Sequence, residues 1–149
     1  MILYIILGII WLIADQFTKF WVQTHMALGE SIPVIPDVFH ITYILNKGAA
    51  FGILSEQRFF FLAIVFVLLV ALFFLRKYIA NGSVALKLGT ALLVSGALGN
   101  AWDRFHLHAV VDFFDFRVWP IFNVADIGIC LGVVALIWHV WQHSEKGDK

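Results

Sequence analysis

The hydrophobic pattern divides the chain into four long apolar stretches, at about residues 2–23, 58–78, 84–104 and 123–142. Each is long enough to cross a bilayer core, which takes roughly 20 helical residues. The pattern therefore predicts four transmembrane helices in a single integral membrane domain spanning 1–149. The first stretch lacks a Lys/Arg-rich start and a small-residue cleavage site, so it is expected to be a retained helix. The second and third are joined by a short turn, 79–83, carrying the turn pair Asn81-Gly82. Arg76, Lys77 and Lys87 flank that turn without an acid, which places the hairpin, and with it both termini, in the cytoplasm. Lys47, Arg58, Arg104 and Arg117 lie on the other side, and it is the density near the helix ends that decides the orientation.

The two remaining connections, about 24–57 and 105–122, are then extracytoplasmic. They hold all three prolines and most of the polar sequence. Residues 38–45 are rich in β-branched and aromatic side chains and run into Asn46-Lys47-Gly48, predicting a small β-like element on the membrane surface.

Composition agrees with lipid as the main solvent. Hydrophobic residues make up 62% of the 149, charged residues 13%, and the mean hydropathy is +0.91, beyond what a soluble core absorbs. Ten basic residues balance ten acidic ones, leaving no surplus for nucleic acid, which is excluded as a partner. The single cysteine, Cys130, offers no disulfide or cysteine metal framework and reads as a small packing residue.

Charged groups near a helix centre cost roughly 2.5 to 3.5 kcal/mol on insertion scales, which makes intramembrane ionisable residues candidates for function. Asp15 and Lys19, spaced i,i+4, can neutralise each other as a structural ion pair that orients the first helix. Asn100, Asp103 and Arg104 can project from one side of the third, although Asp103 and Arg104 could equally mark the interface by snorkelling. The fourth helix opens with Asn123-Val124-Ala125-Asp126, a cap residue followed three places later by an acid. If 110–118 is extended, Asp115 and Arg117 share one face and can pair, while Asp112 is the lone polar group on the other, where desolvation raises its pKa.

Two carboxylates that share one proton can hydrolyse a peptide bond, which needs a water deprotonated and the leaving amine protonated, one acting as base while the other acts as acid. Asp126, near a helix N-terminus, suits the ionised role and Asp112 the protonated one. Spacing alone does not bring them together. Two other readings fit parts of the pattern: a metal-dependent hydrolase built on His106-x-His108, and a non-enzymatic transporter with Asp15, Lys19, Asp103 and Arg104 along a polar path. The first lacks an HExxH pattern, and the second lacks an inverted repeat. His139 and His143, four apart near the end of the fourth helix, are expected at the cytoplasmic interface.

Five motifs occur in order along nearly the whole chain: DQFTK at 15–19, NKGAAFG at 46–52, GNAWDR at 99–104, VVDF at 110–113 and FNVAD at 122–126. With these the chain resembles the lipoprotein signal peptidases, also called signal peptidase II. The resemblance implies that Asp112 and Asp126 are catalytic and that Asn46 and Gly48 line the substrate cleft. It gives Asn100, Arg104 and Asn123 hydrogen bonds to substrate or to the aspartates, and makes Asp15, Lys19 and Asp103 supporting residues. Ser95-Gly96 departs from the paired glycines common in the family. The implied activity is removal of signal peptides from diacylglyceryl-modified prolipoproteins, cut just before the lipidated cysteine. The site would lie at the extracytoplasmic face of the bacterial cytoplasmic (inner) membrane, with membrane lipids as neighbours, a monomeric enzyme, and no metal or other cofactor.

Overall fold

A computed structural model describes residues 1–48, 54 and 56–147. In chain order it contains α1 (Ile2–His25), β1 (Ser31–Ile35), β2 (Phe39–Asn46), α2 (Arg58–Asn81), α3 (Val84–His106), β3 (Val110–Asp115) and α4 (Val124–Gly147). Four long apolar helices and a small antiparallel sheet are thus the fold that the hydrophobic pattern predicts. Each helix has 23 or 24 residues, and at 1.5 Å per residue runs for about 35 Å, enough to cross a bilayer core. Residues 49–52 of the NKGAAFG motif lie outside the described residues.

The helices expose their apolar side chains outward, as lipid requires. Phe17, Phe59, Phe66, Phe74 and Val140 are all exposed, and α2 buries only Ile79. What the interior needs instead is close backbone approach between helices, which small residues permit. Helix α3 is central and packs on α1, α2 and α4, most extensively on α4. Along that seam a methyl group at Gly89 would come within 2.9 Å of the Gly132 carbonyl oxygen, and one at Gly132 within 2.7 Å of the Leu93 nitrogen. At Gly96 a methyl group would strike the Ala125 carbonyl oxygen.

The sheet has the order β1-β2-β3 and sits at the end of the bundle where α1 and α3 finish and α4 begins. Val22 and Met26 of α1 pack there with Val111 and Phe113 of β3, flanked by Ile41, Tyr43, Phe114 and Val124. Between β2 and β3 the register is Ile41↔Phe114, then Ile44↔Asp112 and Asn46↔Val110, with an extra residue in β2 between Ile41 and Ile44. That bulge sets which face of β2 meets the acid on β3. Asn46, diagonal to Asp112, reaches the same face.

Candidate active site

Each polar side chain of the predicted site can be traced to the element that holds it. On α1, Asp15 and Lys19 are both buried, at 0% and 1% exposure. The Lys19 ammonium has three donors and no acceptor, and three acceptors meet it: Asp15 Oδ2, Asp103 Oδ2 and Asn100 Oδ1, each at 2.9 Å. The expected i,i+4 pair is therefore one edge of a larger cluster. Asp15 Oδ1 also accepts the Ala125 N–H at 2.8 Å, and Asp103 Oδ2 accepts the Val111 N–H at 3.2 Å. A single buried ion group thereby ties α1, α3, β3 and the first turn of α4 together. Asp103 is buried, which rules out the snorkelling alternative for that residue.

Gln16 completes the cluster, and the sequence reading passed over it. Its Nε2 donates to Asp15 Oδ2, to Asp103 Oδ1 and to the Gly99 carbonyl, at 3.0, 3.2 and 3.3 Å. A polar amide within an otherwise apolar helix was the available signal.

One residue further along the network lie the two aspartates. Asn123 caps α4 reciprocally with Asp126: Asp126 N–H donates to Asn123 Oδ1 at 2.9 Å, and Asn123 N–H donates to Asp126 Oδ2 at 3.1 Å. Capping and cleft placement are not alternatives here, because the same carboxylate does both. Its other oxygen, Oδ1, accepts Asn100 Nδ2 at 2.8 Å. The Asn123 side chain turns the opposite way and donates from Nδ2 to Asp112 Oδ1 at 2.7 Å, with Asn100 Oδ1 and the Val111 carbonyl also in reach at 3.1 and 3.2 Å. Asp112 Oδ2 accepts Asn46 Nδ2 at 2.9 Å, and Asn46 Oδ1 accepts the Gly48 N–H at 3.0 Å.

Asp112 is therefore not the lone polar group that strand alternation alone suggests. Two asparagines from other elements reach across to it. Its carboxyl is nonetheless pushed up to about 7, chiefly by burial and then by the negative charge of Asp126, against the opposing pull of the two amides and of Lys19. Arg104 donates from Nη2 to the Gly48 carbonyl at 2.8 Å while its guanidinium lies 4.2 Å from the centre of the Phe61 ring. It joins α3 to the β2 loop and to α2.

These groups surround a cleft of about 690 Å³. Asn46, Gly48, Asn100, Arg104, Asp112 and Asp126 form its polar end, and Phe61, Leu68, Leu93, Ile129 and Leu131 line the apolar remainder. Cys130 also opens onto this cleft and is exposed, contrary to the packing role expected of it, because it follows Asp126 by one helical turn on the same face. Of the predicted site residues, seven converge on the two aspartates or the cleft around them: Asp112, Asp126, Asn46, Gly48, Asn100, Arg104 and Asn123. Asp15, Lys19 and Asp103 form the adjoining ion cluster.

Elsewhere, Asp115 and Arg117 pair as expected, at 3.0 Å. His106 donates from Nδ1 to the Trp102 carbonyl at 3.0 Å and packs on the Trp102 and Phe105 rings. His139 is buried, with Ser83 Oγ 2.8 Å from Nδ1 and Tyr78 Oη 3.2 Å from Nε2. It fastens the α2–α3 hairpin to α4, at the end of the bundle that carries Arg76, Lys77 and Lys87. The His143 side chain lies outside what the structure describes.

Comparison with known proteins gives the family and the fold. Residues 7–142 match the family model described as signal peptidase (SPase) II, Peptidase_A8. A lipoprotein signal peptidase of Halothermothrix orenii is 44% identical over 145 residues, covering 97% of this chain and 99% of that protein. Another from Pelotomaculum thermopropionicum is 42% identical, covering 100% and 97%. A solved bacterial membrane enzyme superposes with a TM-score of 0.87 at 36% identity, covering 96% of this chain and 90% of that one. A second gives 0.81 at 37% identity, covering 92% and 91%. The chain belongs to the signal peptidase II family and is, with its four spans, a multi-pass aspartic-type peptidase of the bacterial inner membrane.

Proposed function

We propose that this chain removes signal peptides from diacylglyceryl-modified prolipoproteins, cutting just before the lipidated cysteine, with Asp112 and Asp126 as the catalytic pair. The observation that carries the reading is that one residue joins them: Asn123 holds Asp112 with its side chain and Asp126 with its backbone, in a largely apolar cleft that both aspartates line.

In this mechanism a water molecule lies between the two carboxyl groups. Asp126 takes a proton from the water as the oxygen bonds to the peptide carbonyl carbon, and Asp112 gives its proton to the carbonyl oxygen. The tetrahedral intermediate then collapses: the C–N bond breaks, a hydroxyl proton returns to Asp112 as the carbonyl reforms, and Asp126 passes its proton to the leaving amine. A pKa near 7 suits Asp112 to hold and return a proton near neutral pH. Asn46, Gly48 and Arg104 bind the extended peptide beside the dyad, while Asn100 and Asn123 keep the carboxyl groups oriented. Asp15, Lys19 and Asp103 fix the helix ends on which that orientation depends.

The diacylated substrate stays anchored in the bilayer, so a cleft at the bundle's end, apolar along its length, receives it without extraction. Arg76, Lys77 and Lys87 gather at the opposite end of the bundle, which supports cytoplasmic termini and an extracytoplasmic site for a chain acting as a monomer. The test uses purified Asp112→Asn and Asp126→Asn proteins, checked for helix content and thermal unfolding, on a synthetic diacylated prolipoprotein peptide. Each folded variant should lose cleavage by at least about 10³-fold. Normal turnover by either one rejects the dyad.

A further inference from the structure

Just after β3 the chain makes a strained turn that carries an exposed tryptophan to the wall of the cleft. Val118 N–H donates to the Phe116 carbonyl at 2.7 Å, closing a three-residue turn in which Arg117 has φ 66°. A non-glycine residue holds that conformation only when its surroundings impose it. Here Asp115 does so, accepting the Arg117 N–H at 2.8 Å on Oδ1 and the Arg117 guanidinium at 3.0 Å on Oδ2.

Asp115 is itself fixed from the other strands. Thr42 donates to its Oδ2 at 2.8 Å, and Thr42 is bonded to Ser31 at 2.7 Å. Burial works to raise the Asp115 carboxyl, but the Arg117 and Thr42 bonds outweigh it and hold the group below the usual carboxylate range. The far end of the turn is closed by Phe122, whose ring stacks on Phe116 at 5.9 Å and whose backbone pairs with Phe114. Between these clamps Trp119 lines the cleft while remaining 64% exposed.

We propose that Trp119 is the element that recognises the glyceryl-ester region of the diacylated cysteine, and that Asp115 and Arg117 are positioning residues that hold it there. The inference rests on the prolipoprotein reading above. An indole has an apolar ring and one N–H donor, and such a ring is favoured where an acyl chain meets its polar head. Trp119 lines the same cleft as Asp112 and Asp126 and belongs to the connection from β3 to α4, at the sheet end of the bundle, where the glyceryl esters of a membrane-anchored substrate would lie beside the peptide to be cut.

The experiment measures kcat and KM on a diacylated peptide and on its unlipidated counterpart, for wild type, Trp119→Ala, Trp119→Phe, Asp115→Asn and the Asp115→Asn/Trp119→Ala double variant. Helix content and thermal unfolding of each variant are measured first, so that a loss of fold is told apart from a loss of recognition. Trp119→Ala should raise KM for the diacylated peptide about tenfold with kcat within twofold, the size expected for one buried aromatic contact. Trp119→Phe should recover part of it, and neither should alter the unlipidated peptide's kinetics. Asp115→Asn should raise KM about threefold alone and add nothing in the Trp119→Ala background, since its effect passes through Trp119. Unchanged KM in Trp119→Ala overturns the proposal, as does a double variant in which the two effects multiply. Failure of the wild-type protein to cleave the diacylated peptide would overturn the function reading itself, a distinct outcome.

Discussion

Asn123 Nδ2 lies 2.7 Å from Asp112 Oδ1, and the same asparagine's backbone N–H and side-chain oxygen close a two-way cap with Asp126. The amide end and the carbonyl end of one side chain thus serve different purposes. The oxygen starts a helix, and the nitrogen orients an acid.

Asn123→Asp separates those two purposes. An aspartate keeps the oxygen that accepts the Asp126 N–H, so the cap survives. The cost falls on the other side, where a second buried oxygen would face Asp112, Asn100 Oδ1 and the Val111 carbonyl. The unfolding midpoint in detergent should therefore fall by more than the loss of a cap, about 1 kcal/mol, accounts for. The new aspartate cannot donate to Asp112 and sets a like charge beside it. Cleavage should fall about a hundredfold or more, consistent with loss of a hydrogen bond to a charged or buried group. A variant that unfolds early yet cleaves normally when folded would contradict this division.

Lys19 is the only cation bonded to Asp15, Asp103 and Asn100 among the described residues. Replacing it with Met leaves two buried carboxylates without a counter-charge, which costs roughly 3 to 5 kcal/mol and should lower the unfolding midpoint on the order of 10 °C for a chain of this size. Lys19→Arg should not restore it, because a planar guanidinium cannot aim at three acceptors converging on one point. Unfolding curves of the three proteins in one detergent decide the matter; coincident midpoints would show the cluster to be energetically idle.

The bundle was legible from the chain because lipid demands unbroken apolar runs, and few other structures supply four of them. The pairing of β2 with β3 was not, since it joins Asn46 to Val110 across α2 and α3, and no local pattern encodes such a contact. For the same reason the Asp15–Lys19 pair was visible as i,i+4 neighbours, while the bonds from Asp15 to Ala125 and from Lys19 to Asn100 were not. Cys130 was misread, and the partners of His139 were not visible. Helical position near an end placed the histidine at the cytoplasmic interface but did not name Ser83 and Tyr78, which enclose it; an apolar run suggested burial for the cysteine, but that run faces the cleft. The chemistry open to a pair of aspartates could be read from residue types, and the placement of Asp112 and Asp126 only from the fold.

Gly96 and Gly29 are constrained in different ways, and alanine should tell them apart. At Gly96 a methyl group would collide with the Ala125 carbonyl of the neighbouring helix, so Gly96→Ala must push α3 and α4 apart at a cost of about 1 to 3 kcal/mol. Because α4 carries Asp126, activity should drop with stability. Gly29 has no atom within 4 Å of the added methyl, but its φ is +86°; Gly29→Ala should cost only about 1 kcal/mol through backbone strain and leave turnover intact. Paired unfolding and activity measurements check both, and equal loss of activity in the two variants would refute the distinction.

The pH dependence should carry the signature of Asp112. Its carboxyl titrates near 7 in the folded protein against an ordinary value of 3.8, so the fold binds this proton more tightly than the unfolded chain does. Its contribution to stability is therefore fully present below pH of about 4 and is lost as pH rises towards and through about 7. Asp115 acts in the opposite sense: its pKa is lowered, so its contribution is present above about 3.8 and is lost as pH falls through its folded value. If Asp112 must carry a proton for cleavage, kcat/KM should decline as pH rises through about 7. Asn46→Ala removes a donor that favours the ionised form, so in that variant the alkaline limb should move to higher pH even as peak activity falls. A limb that stays in place, or moves to lower pH, would mean that the titrating group is not Asp112.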